Sequence, residues 1–228
     1  MKYTWLEREY SLIGDEAVDK LTSSSVLLFG CGGVGGYTIE ALARAGIGKL
    51  SVVDNDTVNE TNINRQIIAT RKTVGQLKTE AARDRIADIN PDCVVECIST
   101  FADESNIKEI IDKADPDFIV DAIDSVTSKL LIAEYATQKN IPIIASMGTG
   151  NKLDPERLKI ADISKTHTCP LARVMRRELG LRGIKHMNVL FSDEPPVKVG
   201  SRTPASISFV PSAAGLIIAG YVVRNIIK

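Results

Sequence analysis

The chain is notable first for what it holds little of. Its 228 residues include four cysteines, two histidines and one tryptophan, and aromatic residues make up only 5%. So few cysteines at this length exclude a disulfide scaffold and point to a reducing cytoplasm, with Cys31, Cys93, Cys97 and Cys169 as thiols. Cys93 and Cys97 have no second closely spaced pair beside them, so no zinc site is expected. Charge of one sign is also missing: 28 basic and 29 acidic residues nearly cancel. That excludes a global electrostatic pull on nucleic acid and leaves only local patches. The opening Met-Lys-Tyr-Thr-Trp-Leu-Glu-Arg lacks the apolar core of a secretory signal. Residues 213–223 form an apolar run, but one too short to span a bilayer. It reads as a buried helix with at most a peripheral membrane contact.

Glycine, in contrast, is concentrated where it matters. In Leu28-Phe-Gly-Cys-Gly-Gly-Val-Gly-Gly36, Gly30, Gly32 and Gly35 have the G-x-G-x-x-G spacing of a phosphate-binding turn, with Gly33 beside them. Gly30 allows a tight strand-to-helix turn, Gly32 lets a phosphate approach the backbone, and Gly35 lets helix and strand pack closely. Free N–H groups at the helix start then face an anion. The motif says nucleotide, without saying which.

Around it the pattern alternates. Apolar, β-branched runs at 24–29, 50–53, 94–98, 118–120 and 141–145 read as parallel strands, and 34–45, 75–89, 103–113 and 126–139 read as helices. After Gly148-Thr-Gly150 the rhythm changes. Residues 158–163 read as an antiparallel strand, 170–181 as a helix and 187–191 as a strand. Residues 193–204 form a proline-rich loop, and a closing helix follows Phe209. The expected fold is α/β and Rossmann-like: a mostly parallel sheet with antiparallel C-terminal additions and helices on both faces. We expect residues 1–155 to form the nucleotide-binding core and 156–228 an extension of the same domain.

The residues after the strands carry the chemistry. Asp54 ends the second strand, where an acid accepts ribose hydroxyls whether the nucleotide is NAD or ATP. Asn62-Ile-Asn-Arg-Gln66 puts Asn62, Arg65 and Gln66 on one face of a helical turn. A nicotinamide has no use for that cluster; a triphosphate does. Lys78, at the start of the next helix, offers a second cation, although a surface lysine is the plainer reading. In Asp121-Ala-Ile-Asp124, Asp124 suits Mg²⁺ bridging phosphate oxygens, or a helix cap, or both. His167 near Cys169 suggests an activated thiol, but a loop cysteine before a helix-opening proline is the preferred reading. Arg173, Arg176, Arg177, Arg182 and Lys185 oppose a single acid, Glu178, a possible footprint for RNA phosphates. Lys198 and Arg202 in the proline-rich loop are a second candidate.

Together, Gly30-x-Gly-Gly-Val-Gly35, Asp54-x-Asp56, Asn62-x-x-Arg-Gln66, Lys78 and Asp124 resemble the adenylating superfamily that includes ubiquitin-activating enzymes and the ThiF/MoeB activators of sulfur carriers. The resemblance implies that Asp54 holds ribose, that Asn62, Arg65, Gln66 and Lys78 hold the phosphates, and that Asp124 holds Mg²⁺. It implies a homodimer in which Arg8 reaches the partner's ATP site. Within the superfamily, Ser146-Met-Gly-Thr-Gly-Asn-Lys-Leu-Asp-Pro155, Pro170-Leu-Ala-Arg-Val-Met-Arg-Arg-Glu-Leu179 and Phe209-Val-Pro-Ser-Ala-Ala-Gly-Leu-Ile-Ile218 are similar to the tRNA threonylcarbamoyladenosine dehydratase group. That likeness implies ATP-dependent cyclisation of the modified adenosine beside the anticodon, through adenylation of its carboxylate, and leaves a sulfur-transfer or redox partner protein open. Three rivals remain at this stage: an activator of a ubiquitin-like sulfur carrier, an NAD-dependent dehydrogenase and a non-catalytic scaffold. The two C-x-x-C pairs usual in sulfur-carrier activators are absent from the chain.

Overall fold

The computed structural model describes residues 3–200 and 203–228; Arg202 lies outside the described residues. Its sheet has seven strands: β1 Ser25–Phe29, β2 Lys49–Val53, β3 Val94–Ile98, β4 Phe118–Asp121, β5 Ile143–Ser146, β6 Leu158–Asp162 and β7 Asn188–Ser192. Their order is β3-β2-β1-β4-β5-β7-β6. Every pairing is parallel except β6 with β7, which is antiparallel, so the mixed sheet expected from the sequence is what forms. Val26, Leu27, Leu28 and Phe29 are all fully buried, because helices cover both faces of this central strand. The strand order reverses beside β1, and an open α/β sheet binds ligands at such a point, outside the carboxyl ends of its strands.

The helices are α1 Glu7–Ile13, α2 Asp15–Ser23, α3 Gly33–Arg44, α4 Lys78–Ala87, α5 Ile107–Ala114, α6 Val126–Lys139, α7 Pro170–Leu181 and α8 Phe209–Ile226. In α5 the spacing is plain: Ile107, Ile110, Ile111 and Ala114 are buried, and the helix stops where Asp115 turns left-handed at φ 43°. The helix expected at 75–89 is shorter, because Leu77 pairs with Thr57 in a β-bridge before α4 begins. Helix α8 is longer than the 213–223 run suggested. At 18 residues it is long and apolar enough by length and composition to cross a membrane. Val210, Ala214, Gly215, Ile218, Ala219 and Val222 are nevertheless buried, and the helix lies along α3. A Cβ on Gly215 would come within 2.4 Å of the Val34 carbonyl oxygen, and the Thr38 hydroxyl donates to the Gly215 carbonyl at 3.1 Å. Glycine there sets the interhelical approach, so α8 is a core helix.

Candidate nucleotide site

The cleft is built from the turns that follow β1, β2, β4 and β5 and has a volume of about 620 Å³. After β1 the chain turns through Gly30 at φ +94°, a conformation that favours glycine. A Cβ on Gly35 would lie 1.7 Å from the Gly30 carbonyl oxygen, so only glycine lets α3 start this close to β1. Gly32 differs: the nearest atom to a Cβ there is the Gln66 Nε2, at 3.9 Å. The backbone faces open space at that point, and no side chain caps the start of α3. Gly32, Gly33 and Val34 line the cleft, so the uncapped first turn of α3 stands where its N–H groups can serve an anion.

The second wall comes from β2. Asp54 is anchored at both oxygens: Oδ2 accepts the Cys31 N–H at 2.7 Å and Oδ1 the Asp56 N–H at 2.9 Å. Lys78 is buried, with its ammonium 2.6 Å from Asp56 Oδ2 and 3.9 Å from Asp54 Oδ1. Its own N–H donates to the Asp56 carbonyl at 2.9 Å, so Asp56 holds Lys78 by backbone and side chain. The plainer reading of Lys78 as a surface lysine is therefore wrong. Asp56, part of the motif but given no role from sequence, is the group that fixes it. Cys31 is fully buried, and burial first, then the Asp54 charge, push its thiol well above the usual range. It is an inert small residue.

Asn62, Arg65 and Gln66 share one turn, with the N–H groups of Arg65 and Gln66 both donating to the Asn62 carbonyl at 3.1 and 2.9 Å. All three line the cleft. Asn62 Oδ1 already accepts the Asn59 N–H at 2.9 Å. The Arg65 guanidinium donates to the Thr61 carbonyl and Asn64 Oδ1, at 3.0 and 2.9 Å, from its Nη1 alone. Gln66 is buried, and its Oε1 has no partner among the described residues.

The third wall follows β4. Asp124 lines the cleft, is exposed, and engages no described residue. It does not cap α6; Ser125 does, accepting the Ser128 N–H at 3.4 Å. Below this loop lies a pair that sequence reasoning missed. The Lys129 ammonium is 2.8 Å from Asp121 Oδ1 and donates to the Ile123 carbonyl at 3.0 Å. Burial raises the Asp121 carboxyl, with Lys129 opposing the shift.

Several expected residues lie elsewhere. Arg8 is exposed on α1, outside the cleft. Cys169 is a buried thiol just before α7, and its N–H donates to the His167 carbonyl at 2.6 Å, while the His167 Nδ1 bonds the Thr168 hydroxyl at 3.1 Å. The basic run on and after α7 is mostly engaged. Arg176 donates to Thr166, and Arg177 pairs with Glu178. Arg182 pairs with Glu134 and Glu178. Only Arg173 and Lys185 have side chains without a described partner, so most of the expected footprint is already engaged within the protein.

The ThiF family model matches residues 6–228. The tRNA threonylcarbamoyladenosine dehydratase of Bacillus subtilis is 43% identical over 234 residues, covering 95% of this chain and 92% of that enzyme. The E. coli enzyme of the same activity, solved in complex with ATP, superposes with a TM-score of 0.91 at 31% identity, over 97% of this chain and 93% of that one. The adenylyltransferase and sulfurtransferase UBA4 of Vanderwaltozyma polyspora is 36% identical over 139 residues, but over only 61% of this chain and 31% of that protein. The chain belongs to the ThiF family.

Proposed function

We propose that this protein is an ATP-dependent tRNA threonylcarbamoyladenosine dehydratase. The observation that carries the reading is one cleft holding an open glycine turn, Asp54, the Asn62/Arg65/Gln66 turn, buried Lys78 and an unengaged Asp124. Full-length similarity to enzymes of that name supports it. Asp54 accepts the ribose hydroxyls. The N-terminus of α3, Lys78, Arg65 and the amides of Asn62 and Gln66 hold the triphosphate. The Asp124 carboxylate fits a hard divalent cation, Mg²⁺, which would neutralise phosphate charge. No group of three or more His, Cys, Asp or Glu side chains is near enough to hold a metal among the described residues, so Asp124 would hold such a cation only together with the nucleotide's own oxygens.

The acceptor's carboxylate oxygen attacks the α-phosphorus, and the α–β bridging oxygen leaves with pyrophosphate. The acyl-adenylate then meets a nitrogen or oxygen of its own side chain; the carbonyl–oxygen bond breaks and AMP departs. Water is thus lost overall and taken up as ATP becomes AMP and pyrophosphate. Two anions must be brought together in this sequence, so positioning and charge neutralisation are the protein's main contributions. No covalent nucleophile is needed, which suits a buried Cys169. A homodimer with Arg8 reaching across, and a cytoplasmic setting, belong to the same reading; an exposed Arg8 and four free cysteines support them. Nucleoside mass spectrometry tests the function. Protein, ATP and tRNA bearing the modification give a nucleoside one water lighter. Pyrophosphate exchange driven by a ubiquitin-like carrier, with no change in the tRNA, would reverse the choice in favour of the sulfur-carrier reading.

A further inference from the structure

A second cavity, of about 210 Å³, lies beside the start of α7. Its lining is His167, Thr168, Cys169, Pro170, Arg173 and Arg176, with no acidic side chain among them. A thin wall divides it from the nucleotide cleft. Leu171 lines the cleft, while its neighbours Cys169 and Pro170 line this cavity. The Cys169 sulfur is 3.7 Å from where a Cβ on Gly148 would stand, and Gly148 lines the cleft.

The three basic residues differ in freedom. Arg176 is fixed by Thr166, its Nη1 donating to the Thr166 carbonyl and hydroxyl at 2.8 Å each. That anchors the wall of the cavity, which Arg176 also lines. His167 is held edge-on against Phe191, with ring centroids 5.5 Å apart. The Arg173 side chain is exposed and has no described partner; only its backbone N–H is engaged, with the Cys169 carbonyl. On a chain where most surface arginines pair with acids, a free guanidinium facing an acid-free hollow is an anion site.

We propose that this cavity holds a backbone phosphate of the tRNA next to the modified nucleotide, with Arg173 as its principal contact and His167 and Arg176 shaping the site. The inference rests on the tRNA reading of the cleft. A nucleotide whose base enters the cleft beside Gly148 carries its backbone past this wall, and the cavity takes a phosphodiester without reading sequence. It also narrows the five-residue footprint expected over residues 173–185 to the one arginine that lines the hollow unpaired.

The test compares wild-type protein with Arg173→Gln, and with Lys113→Gln as a control of equal charge. Lys113 is at the end of α5, just before the amino end of β4, and does not line the cleft, which follows the strands' carboxyl ends. The readouts are tRNA affinity by filter binding and kcat/KM for conversion, each across a salt series. For Arg173→Gln both fall about tenfold at moderate salt, and the slope of log affinity against log salt drops by about 0.7–0.9, one phosphate contact. ATP affinity is unchanged, and the control matches wild type. An Arg173→Gln protein with wild-type tRNA affinity and slope overturns the inference, as does an equal loss in the Lys113→Gln control. Wild-type protein that binds tRNA but converts none would refute the dehydratase reading instead, and the filter-binding comparison would still decide the cavity.

Discussion

Lys129 and Asp121 form a fully buried ion pair whose ammonium also holds the Ile123 carbonyl, one residue before Asp124. A buried pair of this kind contributes little net stability compared with apolar residues of the same size, yet breaking it from one side is costly. Its value here is positional. The Ala122 carbonyl and the Ile123 methyl occupy the space a Cβ on Gly30 would need, at 2.8 and 3.0 Å, so the pair sets this loop beside the glycine turn.

Stability and activity should therefore separate at this pair. Asp121→Leu leaves a buried ammonium alone and is expected to cost about 3–5 kcal/mol. Adding Lys129→Met removes the stranded charge and should restore most of that loss in urea unfolding. The double variant should still convert tRNA poorly, because the Ile123 carbonyl then loses the ammonium that holds it and the loop carrying Asp124 keeps only its Ala122 and Ser125 bonds. A double variant with full activity would show that the pair is structural only.

Lys78 and Asp56 give a second prediction. Lys78→Met removes a buried cation from the phosphate side of the cleft and is expected to lower conversion by about 10²–10³-fold, the effect of losing one transition-state charge partner. Asp56→Ala should weaken turnover through Lys78, whereas Asp56→Asn, which keeps an oxygen acceptor, should recover part of it. Steady-state kinetics with varied ATP separates the three. Equal activity of the alanine and asparagine variants would show that Asp56 does not position the ammonium.

The glycines of the turn should behave differently from one another. Gly35→Ala drives a Cβ into the Gly30 carbonyl and must push α3 off β1, at a cost of about 3 kcal/mol or more. Gly32→Ala meets only the end of the Gln66 side chain, so its unfolding free energy should stay within about 1 kcal/mol of wild type. Its ATP affinity should fall, because the new methyl group stands where phosphate approaches. Thermal melts and ATP titration of the two proteins give opposite rankings if the turn is a phosphate floor.

How much of this was legible in the sequence depends on whether the signal is local. Strand β1 and helix α5 follow from apolar spacing, and the motif residues of the cleft follow from their positions at strand ends. Helices α1 and α2 leave no periodic signal: α1 buries only Tyr10, and α2 only Val18 and Leu21, too few apolar positions to show a period. Lys129 reads as an ordinary helix lysine, since its partner is eight residues away, at the end of a strand. Arg176 fails in the other direction. In the sequence it counts toward the basic footprint with Arg173, but the side chain folds back on Thr166. Partners across the fold, unlike periodicity, leave no mark on a single sequence.

Glu40 gives a prediction that pH can test. On α3 it accepts from Arg44 on its own helix and from Arg85 on α4, tying the two helices together. Burial pushes its carboxyl upward, but the hydrogen bonds and charges of Arg85 and Arg44 outweigh that, leaving its pKa below the usual 4.5. A lowered folded-state value means the stabilisation is present above the unfolded-state pKa and is lost as pH falls through the folded one. With solvent screening of a partly exposed cluster, the contribution is about 1 kcal/mol, or about 2–4 °C in Tm for a chain of this size. Glu40→Gln should thus melt about that much lower at pH 7. The gap should begin to close near pH 4.5 and vanish once wild-type Glu40 is protonated. A gap that persists unchanged at lower pH would mean that the glutamate acts through packing and not through its charge.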